Sequence, residues 1–417
     1  MCGIAGFLNP RNNDKKIEEE IYQILKKMNE VQRHRGPDDE GIFLENGCAL
    51  GHVRLSILDL YRGHQPMCKK KEGNTYAIIL NGEIYNMKTL KEQLIKEGEM
   101  FSTTSDTEVV LTGYIRYGIS YIEELNGIFS IALWDGKRKK LYLIRDRVGV
   151  KPLFYTKRGD TLIFASEIKG LFAYPGVKPV INREGLCEIF GLGPAKSYGK
   201  GVFKDIYEVL PGHFLEYDRE GLKDRAYWEL KAKEHTDSEK DTIEHTRWLV
   251  KDAVEMQMLS DIPISTFLSG GVDSSLVTAI CAKKLQKEGK NLNTFSFDFV
   301  NNHKYFKSNA FQPSEDRPWV DKMVDHAKTD HRYLECDNEN MIENLYKAVD
   351  ARDLPCMADV ESSMLYFCSK VVKYNKVTLT GECADEIFGG YPWFHKEECF
   401  KAEIFPWSMD MQPRKML

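Results

Sequence analysis

Near residue 242 the rhythm of this sequence changes, and that change constrains the fold more than any other feature. Before it, short apolar runs are broken by turn residues. Residues 128–134 are apolar, Asp135-Gly136 is a hairpin turn signal, and 141–145 reads as the returning strand. A second hairpin is expected over 152–166, turning at Arg158-Gly159-Asp160, and a strand over 75–80 that ends at Asn81-Gly82. Helical spacing occupies 15–30, 86–97 and 107–117. Strands grouped with a few helices imply α+β packing, with stacked sheets and helices outside. After residue 242 helix and strand alternate. Helices are expected at 242–259, 274–287, 315–328 and 362–374, and strands at 262–268, 292–297 and 377–379. That order implies an α/β domain, a parallel sheet with helices on both faces. Residues 228–241 are charged and poor in apolar side chains, which makes them the expected linker between domains at 1–227 and 242–417.

Composition excludes several classes. Lys plus Arg is 58 against 63 for Asp plus Glu, and the net charge of -5 argues against a nucleic-acid partner. No apolar run reaches the roughly 18 residues that span a membrane. The start, Met1-Cys2-Gly3-Ile4, has no basic leader and apolar core, so no secretory signal is expected. Ten cysteines are scattered with no C-x-x-C pair, which suits reduced thiols in the cytoplasm and not a zinc cluster.

Cys2 directly follows Met1. Removal of Met1 would leave its thiol beside a free α-amine of reference pKa about 7.7–8.0, a base suited to nucleophilic acyl transfer. A chance cysteine at the start of a buried strand is the plainer alternative. Arg54 can clamp a carboxylate with parallel hydrogen bonds, or make a surface ion pair. Asn81 and Gly82 at a strand end can form an oxyanion hole, or a plain turn. Asp106 opens a helix and can hold a substrate ammonium, although capping is the commoner task there.

A second constellation lies between the strand 262–268 and its following helix, in Ser269-Gly270-Gly271-Val272-Asp273-Ser274-Ser275. Glycines let backbone approach a phosphate, and the helix start supplies free N–H groups. Ser269, Ser274 and Ser275 add hydroxyls, and Asp273 can hold Mg²⁺. The Gly-Lys-Ser/Thr of a Walker A loop is absent, and an ordinary glycine turn is the alternative.

Taken in order, Cys2-Gly3-Ile4-Ala5-Gly6, Arg35-Gly36-Pro37-Asp38, Arg54-Leu55-Ser56-Ile57, Asn81-Gly82-Glu83-Ile84-Tyr85-Asn86 and Ser105-Asp106-Thr107-Glu108 resemble the class II glutamine amidotransferases. Arg145-Asp146-Arg147-Val148-Gly149-Val150-Lys151-Pro152-Leu153 and Ala165-Ser166-Glu167 continue the likeness. The resemblance implies an N-terminal-nucleophile αββα sandwich. Cys2 would attack the glutamine amide, and Asn81 and Gly82 would hold the oxyanion. Arg54, Leu55, Ser56, Ile57, Leu58, Glu83 and Asp106 would line the glutamine pocket. Ser269 to Ser275 resembles the pyrophosphate loop of N-type ATP pyrophosphatases. Leu379-Thr380-Gly381-Glu382-Cys383-Ala384-Asp385-Glu386 resembles the matching block of asparagine synthetases.

By that resemblance ATP would contact Leu268, Ser269, Gly270, Gly271, Asp273, Ser274, Ser275, Phe297, Thr380 and Gly381. Asp273 and Asp385 would hold Mg²⁺. Glu382 would assist ammonia at a β-aspartyl-adenylate. The family has glycine where this chain has Cys383, a change a small thiol should tolerate. Members of the family continue past residue 417, so the second domain is expected to be incomplete at its C-terminus. The activity implied is glutamine-dependent asparagine synthesis from aspartate and ATP, in a possible homodimer. Rival readings are another acyl acceptor, as in β-lactam synthetases and peptide cyclases, glutaminase activity alone, or a shortened assembly partner of a longer synthetase.

Overall fold

The computed structural model describes residues 1–11, 18–193, 195–308 and 314–403. The expectation that the second domain is incomplete at its C-terminus falls on residues 404–417, which lie outside those described. Two compact units are present. The first comprises Met1–Thr242 with Leu259–Ile262 and Ile342–Ser362; the second comprises Ile243–Met258, Pro263–Met341 and the chain from Ser363.

The first unit contains twelve strands among its described residues: β1 (Gly3–Leu8), β2 (Asp39–Glu45), β3 (Cys48–Arg54), β4 (Met67–Lys71), β5 (Asn74–Ile84), β6 (Gly127–Asp135), β7 (Lys140–Arg145), β8 (Phe154–Arg158), β9 (Thr161–Ala165), β10 (Tyr207–Glu208), β11 (His213–Asp218) and β12 (Gly221–Ala226). They form two six-stranded sheets, ordered β10-β8-β9-β1-β3-β2 and β12-β11-β7-β6-β5-β4. Every pairing between them is antiparallel.

The period of two along each strand explains the layers. Ile4, Leu8 and Leu50 of one sheet pack with Ala77, Ile79, Ala132 and Trp134 of the other, forming the core between them. The alternate residues Ala5, Phe7 and Ala49 meet Leu25 and Met28 of the helix α1 (Glu18–Glu30). On the far side Tyr76, Ile78 and Leu80 meet helices α2 (Met87–Lys96) and α3 (Asp106–Tyr117) through Leu90, Leu94, Val109 and Val110. The result is helix, sheet, sheet, helix, the αββα sandwich of the N-terminal-nucleophile fold. The central strands β1, β3, β5, β6, β7 and β9 are buried on both faces over most of their length.

One expectation needs correcting. The strand expected to stop at Asn81-Gly82 runs on to Ile84 because β6 supplies partners, with Asn81 opposite Ser130 and Gly82 opposite Phe129. Gly82 sits there for steric reasons. Its φ is +154°, and a Cβ would lie 2.0 Å from the Ile128 carbonyl oxygen. Asn81-Gly82 is therefore an interior strand segment and not a turn.

Two short helices, α4 (Ile168–Phe172) and α5 (Arg183–Leu192), follow β9. Helix α6 (Glu239–Gln257) then leads into a four-stranded sheet of β13 (Ile264–Phe267), β14 (Asn293–Phe299), β15 (Asp330–Cys336) and β16 (Val377–Leu379). Its order is β15-β14-β13-β16, and all three pairings are parallel. Helix α7 (Val272–Lys287) connects β13 to β14. Helices α8 (Asn302–Tyr305) and α9 (Arg317–Ala327) precede β15, and α10 (Asn338–Arg352) and α11 (Ala358–Val371) precede β16. The chain leaves β13 toward β14 on one side and returns as β16 on the other. The order therefore reverses between β13 and β16, which is where open α/β sheets bind ligands, at the strand C-terminal ends.

Candidate active sites

The same parity that builds the first core selects the residues of its polar end. Cys2 shares the parity of Ile4, Arg54 and His52 that of Leu50, Asn81 and Glu83 that of Ile79, and Ser130 that of Ala132, all inner-facing. One end of the space between the sheets thus receives a thiol, a guanidinium, an amide and a carboxyl.

The quoted motifs interlock to hold Cys2. Its Sγ lies 3.7 Å from the Leu55 carbonyl oxygen, and its own carbonyl accepts from Arg35 Nε at 2.9 Å. Arg35 is anchored to Glu167 at 2.8 Å, and Glu167 also takes His34 and Lys169. Gly36 fits against β3, where a Cβ would lie 2.3 Å from the Val53 carbonyl oxygen. Asp38 Oδ2 accepts the Ser56 N–H at 2.9 Å. Burial pushes the Cys2 thiol up, so attack needs a base. Burial also lowers the amino-terminal ammonium of Met1 to about 5. While Met1 is attached, the Cys2 nitrogen is an amide and cannot serve as that base.

Arg54 is buried, and its Nη2 donates to the carbonyls of Leu58 and Asp59, both at 2.8 Å. It is not a surface ion pair, and part of its donor capacity is already spent on this loop. Ser105, not Asp106, caps α3. Asp106 Oδ2 instead accepts the Ile84 N–H at 3.0 Å, and Oδ1 the Thr107 N–H at 2.7 Å, so Asp106 pins the end of β5. Burial raises the carboxyls of both Asp106 and Glu83, and for Glu83 the neighbouring Asp106 adds to it. Asn81 is fully buried; its Nδ2 is 3.4 Å from Ser130 Oγ, and its Oδ1 has no partner among the described residues. A half-turn of the amide would let Ser130 donate to Oδ1 and free Nδ2 for an oxyanion. Ser56, Ile57 and Leu58 are half-buried beside these groups.

A residue missed by the sequence reading is Lys151. Its buried ammonium lies 3.0 Å from Met1 Sδ, and no carboxylate among the described residues is within ion-pair distance. The motif Arg145 to Pro152 carries it, but there only the motif as a whole was legible.

In the second unit the loop after β13 is built from its own glycines and serines. Gly270 has φ +82°, and a Cβ there would lie 2.8 Å from Trp319 Cβ and 3.0 Å from Val320 N. Ser274 Oγ is spent inside the loop, accepting from Ser269 N at 3.2 Å and facing the Gly271 carbonyl at 3.2 Å. Ser275 is half-buried on the first turn of α7. No side chain caps α7, which leaves first-turn N–H groups for an anion. The loop after β16 closes on this helix start: a Cβ on Gly381 would lie 2.7 Å from Ser274 N and 2.9 Å from Asp273 Cβ.

Thr380 Oγ1 accepts the N–H of Glu382, whose side chain is exposed. Asp385 is half-buried on the short helix α12 (Ala384–Phe388). Cys383 has φ +70°, the left-handed region. The expectation that a small thiol is tolerated thus omitted the backbone: this position costs about 1–2 kcal/mol for any residue with a Cβ. Leu268, Ser269 and Phe297 line a cavity of about 500 Å³, joined by Asp298, Arg317 and Glu335. Phe297 stacks on Phe367 at 4.2 Å and meets Phe267 edge-on at 4.8 Å, so it is both a packed aromatic and a cavity wall.

Comparison with known proteins covers both units. The glutamine amidotransferase domain family matches residues 1–228, and the asparagine synthase family matches 245–416. The chain is 46% identical to asparagine synthetase (glutamine-hydrolyzing) 3 of Bacillus subtilis, over 99% of this chain and 67% of that protein. It is 35% identical to a putative asparagine synthetase (glutamine-hydrolyzing) 2 of Methanocaldococcus jannaschii, over 94% of this chain and 76% of that one. It is also 35% identical to asparagine synthetase (glutamine-hydrolyzing) 2 of Bacillus subtilis, over 94% and 52%. The chain thus spans from about half to three quarters of the length of these relatives.

Proposed function

Because the chain belongs to the family of glutamine-hydrolysing asparagine synthetases, we propose that it makes asparagine from aspartate, using ATP and the amide nitrogen of glutamine. Once Met1 is removed, the Cys2 amine takes the thiol proton as sulfur attacks the glutamine amide carbon. Asn81 Nδ2 and the Gly82 N–H stabilise the oxyanion. Arg54 and Asp106 hold the two ends of the glutamine, with Leu55, Ser56, Ile57, Leu58 and Glu83 around them. Collapse releases ammonia, and water then frees glutamate from the thioester.

In the second unit ATP lies in the cavity beside Leu268 and Phe297, with phosphates on the 269–275 loop and against Thr380 and Gly381. Aspartate attacks the α-phosphate to give β-aspartyl-AMP and pyrophosphate. Glu382 assists ammonia in displacing AMP. No group of three or more His, Cys, Asp or Glu side chains suited to a metal exists among the described residues. Mg²⁺ needs no such group, since it binds through one or two carboxylates and the substrate's phosphates. Asp273 and Asp385 would hold it, and it would neutralise phosphate charge. The cytoplasm as the place of action rests on ten unpaired cysteines. A homodimer is the assembly that sedimentation should find.

The observation that carries the reading is the placing of the Cys2 thiol 3.7 Å from Leu55 O, at the polar end it shares with Arg54 and Asn81. The test supplies glutamine, aspartate, ATP and Mg²⁺ and measures glutamate, asparagine and pyrophosphate together, with Cys2→Ala alongside. All three products should form, and Cys2→Ala should lose only the use of glutamine, keeping synthesis from added ammonia. Glutamate without pyrophosphate would reduce the chain to a glutaminase, and no glutamate at all would end the proposal.

A further inference from the structure

Lys151 is held more rigidly than a packing residue needs. The Asp146 carboxylate accepts backbone N–H groups from Phe129 (3.3 Å), Val148 (3.2 Å), Val150 (2.9 Å) and Lys151 itself (2.9 Å). The Arg145 guanidinium donates to the carbonyls of Lys151 (2.9 Å), Gly149 (2.8 Å) and Val209 (2.7 Å), and pairs with Glu208 at 3.0 Å. Gly149, at φ +72°, lets the loop close: a Cβ would lie 2.8 Å from Pro211 Cγ and 3.1 Å from Arg145 Cζ. Two adjacent charged side chains thus clamp the 146–151 loop from both sides. Beyond the loop, the clamp presents a buried ammonium at the chain start, 3.0 Å from Met1 Sδ and without an ion-pair partner among the described residues. A buried charge left uncompensated is costly, and such groups concentrate at functional sites.

We propose that Lys151 is a positioning residue of the glutaminase site, an ammonium clamped beside the chain's amino-terminal end to act on the amine and thiol of Cys2. This rests on the reading of Cys2 as the nucleophile. A cation next to the freed amine disfavours its protonation and keeps it available as a base, and the same cation favours the thiolate. The groups facing the amino-terminal end are the Cys2 thiol, Arg35 before β2, Glu83 on β5 and Lys151. Those facing Lys151 are Arg35, Glu83, Asp146 and the Cys2 thiol. Glu83 in turn meets Asp106 of α3 and Arg54 of β3, and burial with Asp106 favours its neutral form. Arg35 and Lys151 are thus the cations that act on the amino-terminal end, and Arg54 acts on the Cys2 thiol. Arg35 is offset by its ion pair with Glu167 and donates to the Cys2 carbonyl, although its Nη2 has no partner among the described residues; Lys151 pairs with no carboxylate among them.

The experiment compares wild type, Lys151→Met, Lys151→Gln, Lys151→Arg and Cys2→Ala as the full chain, with removal of Met1 verified by mass spectrometry. Glutamate release is followed across the pH range in which the amine titrates. Removing a neighbouring positive charge raises the amine pKa, so the acid limb of kcat/KM should move up by about half a pH unit or more in Lys151→Met and Lys151→Gln. Lys151→Arg should keep the wild-type limb, KM for glutamine should stay within about twofold, and Tm should not fall, because a buried charge has been removed. An active wild type with an unmoved limb in both neutral variants overturns the assignment of Lys151 and leaves Cys2 standing. So does a uniform loss at every pH accompanied by a lower Tm, which marks a structural role. A wild type that releases no glutamate, or a Cys2→Ala that releases as much, overturns the Cys2 reading and this proposal together.

Discussion

Gly381 leaves Asp273 no space for a side chain between them: a Cβ on Gly381 would lie 2.9 Å from Asp273 Cβ and 2.7 Å from the Ser274 nitrogen. Two motifs more than a hundred residues apart in sequence are thereby packed backbone to backbone at the switch between β13 and β16. Gly381→Ala should cost about 1–3 kcal/mol of stability through overpacking. It should also push the 380–383 loop off the start of α7, and binding of a non-hydrolysable ATP analogue should weaken. Denaturant unfolding and calorimetric titration measure the two effects, and an alanine variant that binds the analogue as wild type does would show that the loops need not touch.

Cys383 offers the opposite case, a side chain where the backbone favours none. At φ +70° glycine relieves strain but loses more freedom on folding, so Cys383→Gly should stabilise the second unit by a net of about 0.5–1 kcal/mol. Urea unfolding followed by tryptophan fluorescence should show a higher midpoint with an unchanged slope. A lower midpoint would mean that the thiol itself makes a stabilising contact.

Gly82→Ala should be severe. The Cβ would meet Ile128 O at 2.0 Å and Phe129 Cα at 2.6 Å, both backbone atoms that cannot swing aside. A loss of about 3 kcal/mol is expected. Separation of β5 from β6 around Asn81 should also reduce glutamate release far more than the fraction unfolded accounts for. Thermal melts and the glutaminase assay on the same sample compare the two.

Acid should act through Glu167. Burial alone would raise its carboxyl, but His34, Arg35 and Lys169 outweigh burial and hold it at about 2, against 4.5 unperturbed. The folded value lies below the unfolded one. The stabilisation is therefore complete above pH 4.5 and is lost as pH falls through about 2. It amounts to about 3 kcal/mol. Glu167→Gln should be less stable than wild type by roughly that amount near neutral pH, and the gap should narrow in acid. A gap independent of pH would assign the loss to packing and not to charge.

The order of motifs, the change from strands with turns to alternating helix and strand, and the type of about half of the elements were legible from residue type and spacing, because those signals are local. Strand β1 entered only as the buried strand of the plainer reading of Cys2: Ile4 and Leu8 face the other sheet while Ala5 and Phe7 face α1, so burial on both sides erases the alternation that marks a strand. Strand β15, Asp-His-Arg-Tyr-Leu-Glu-Cys, was hidden by its charges, which an edge strand paired only with β14 can carry.

By itself the sequence determined which chemical groups are present and where the chain can bend: Cys2 near the start, a carboxamide and a glycine in Asn81-Gly82, and the glycines and serines of the 269–275 loop. Tertiary structure alone decided how those groups are used. β6 drew Asn81-Gly82 into a strand, Arg54 and Ser274 spent hydrogen bonds on their own loops, and the Arg145–Asp146 clamp brought Lys151 to the chain's amino-terminal end. The physical reason is that a residue's type sets what it can bond to, whereas its partner comes from a distant segment chosen by burial and sheet register.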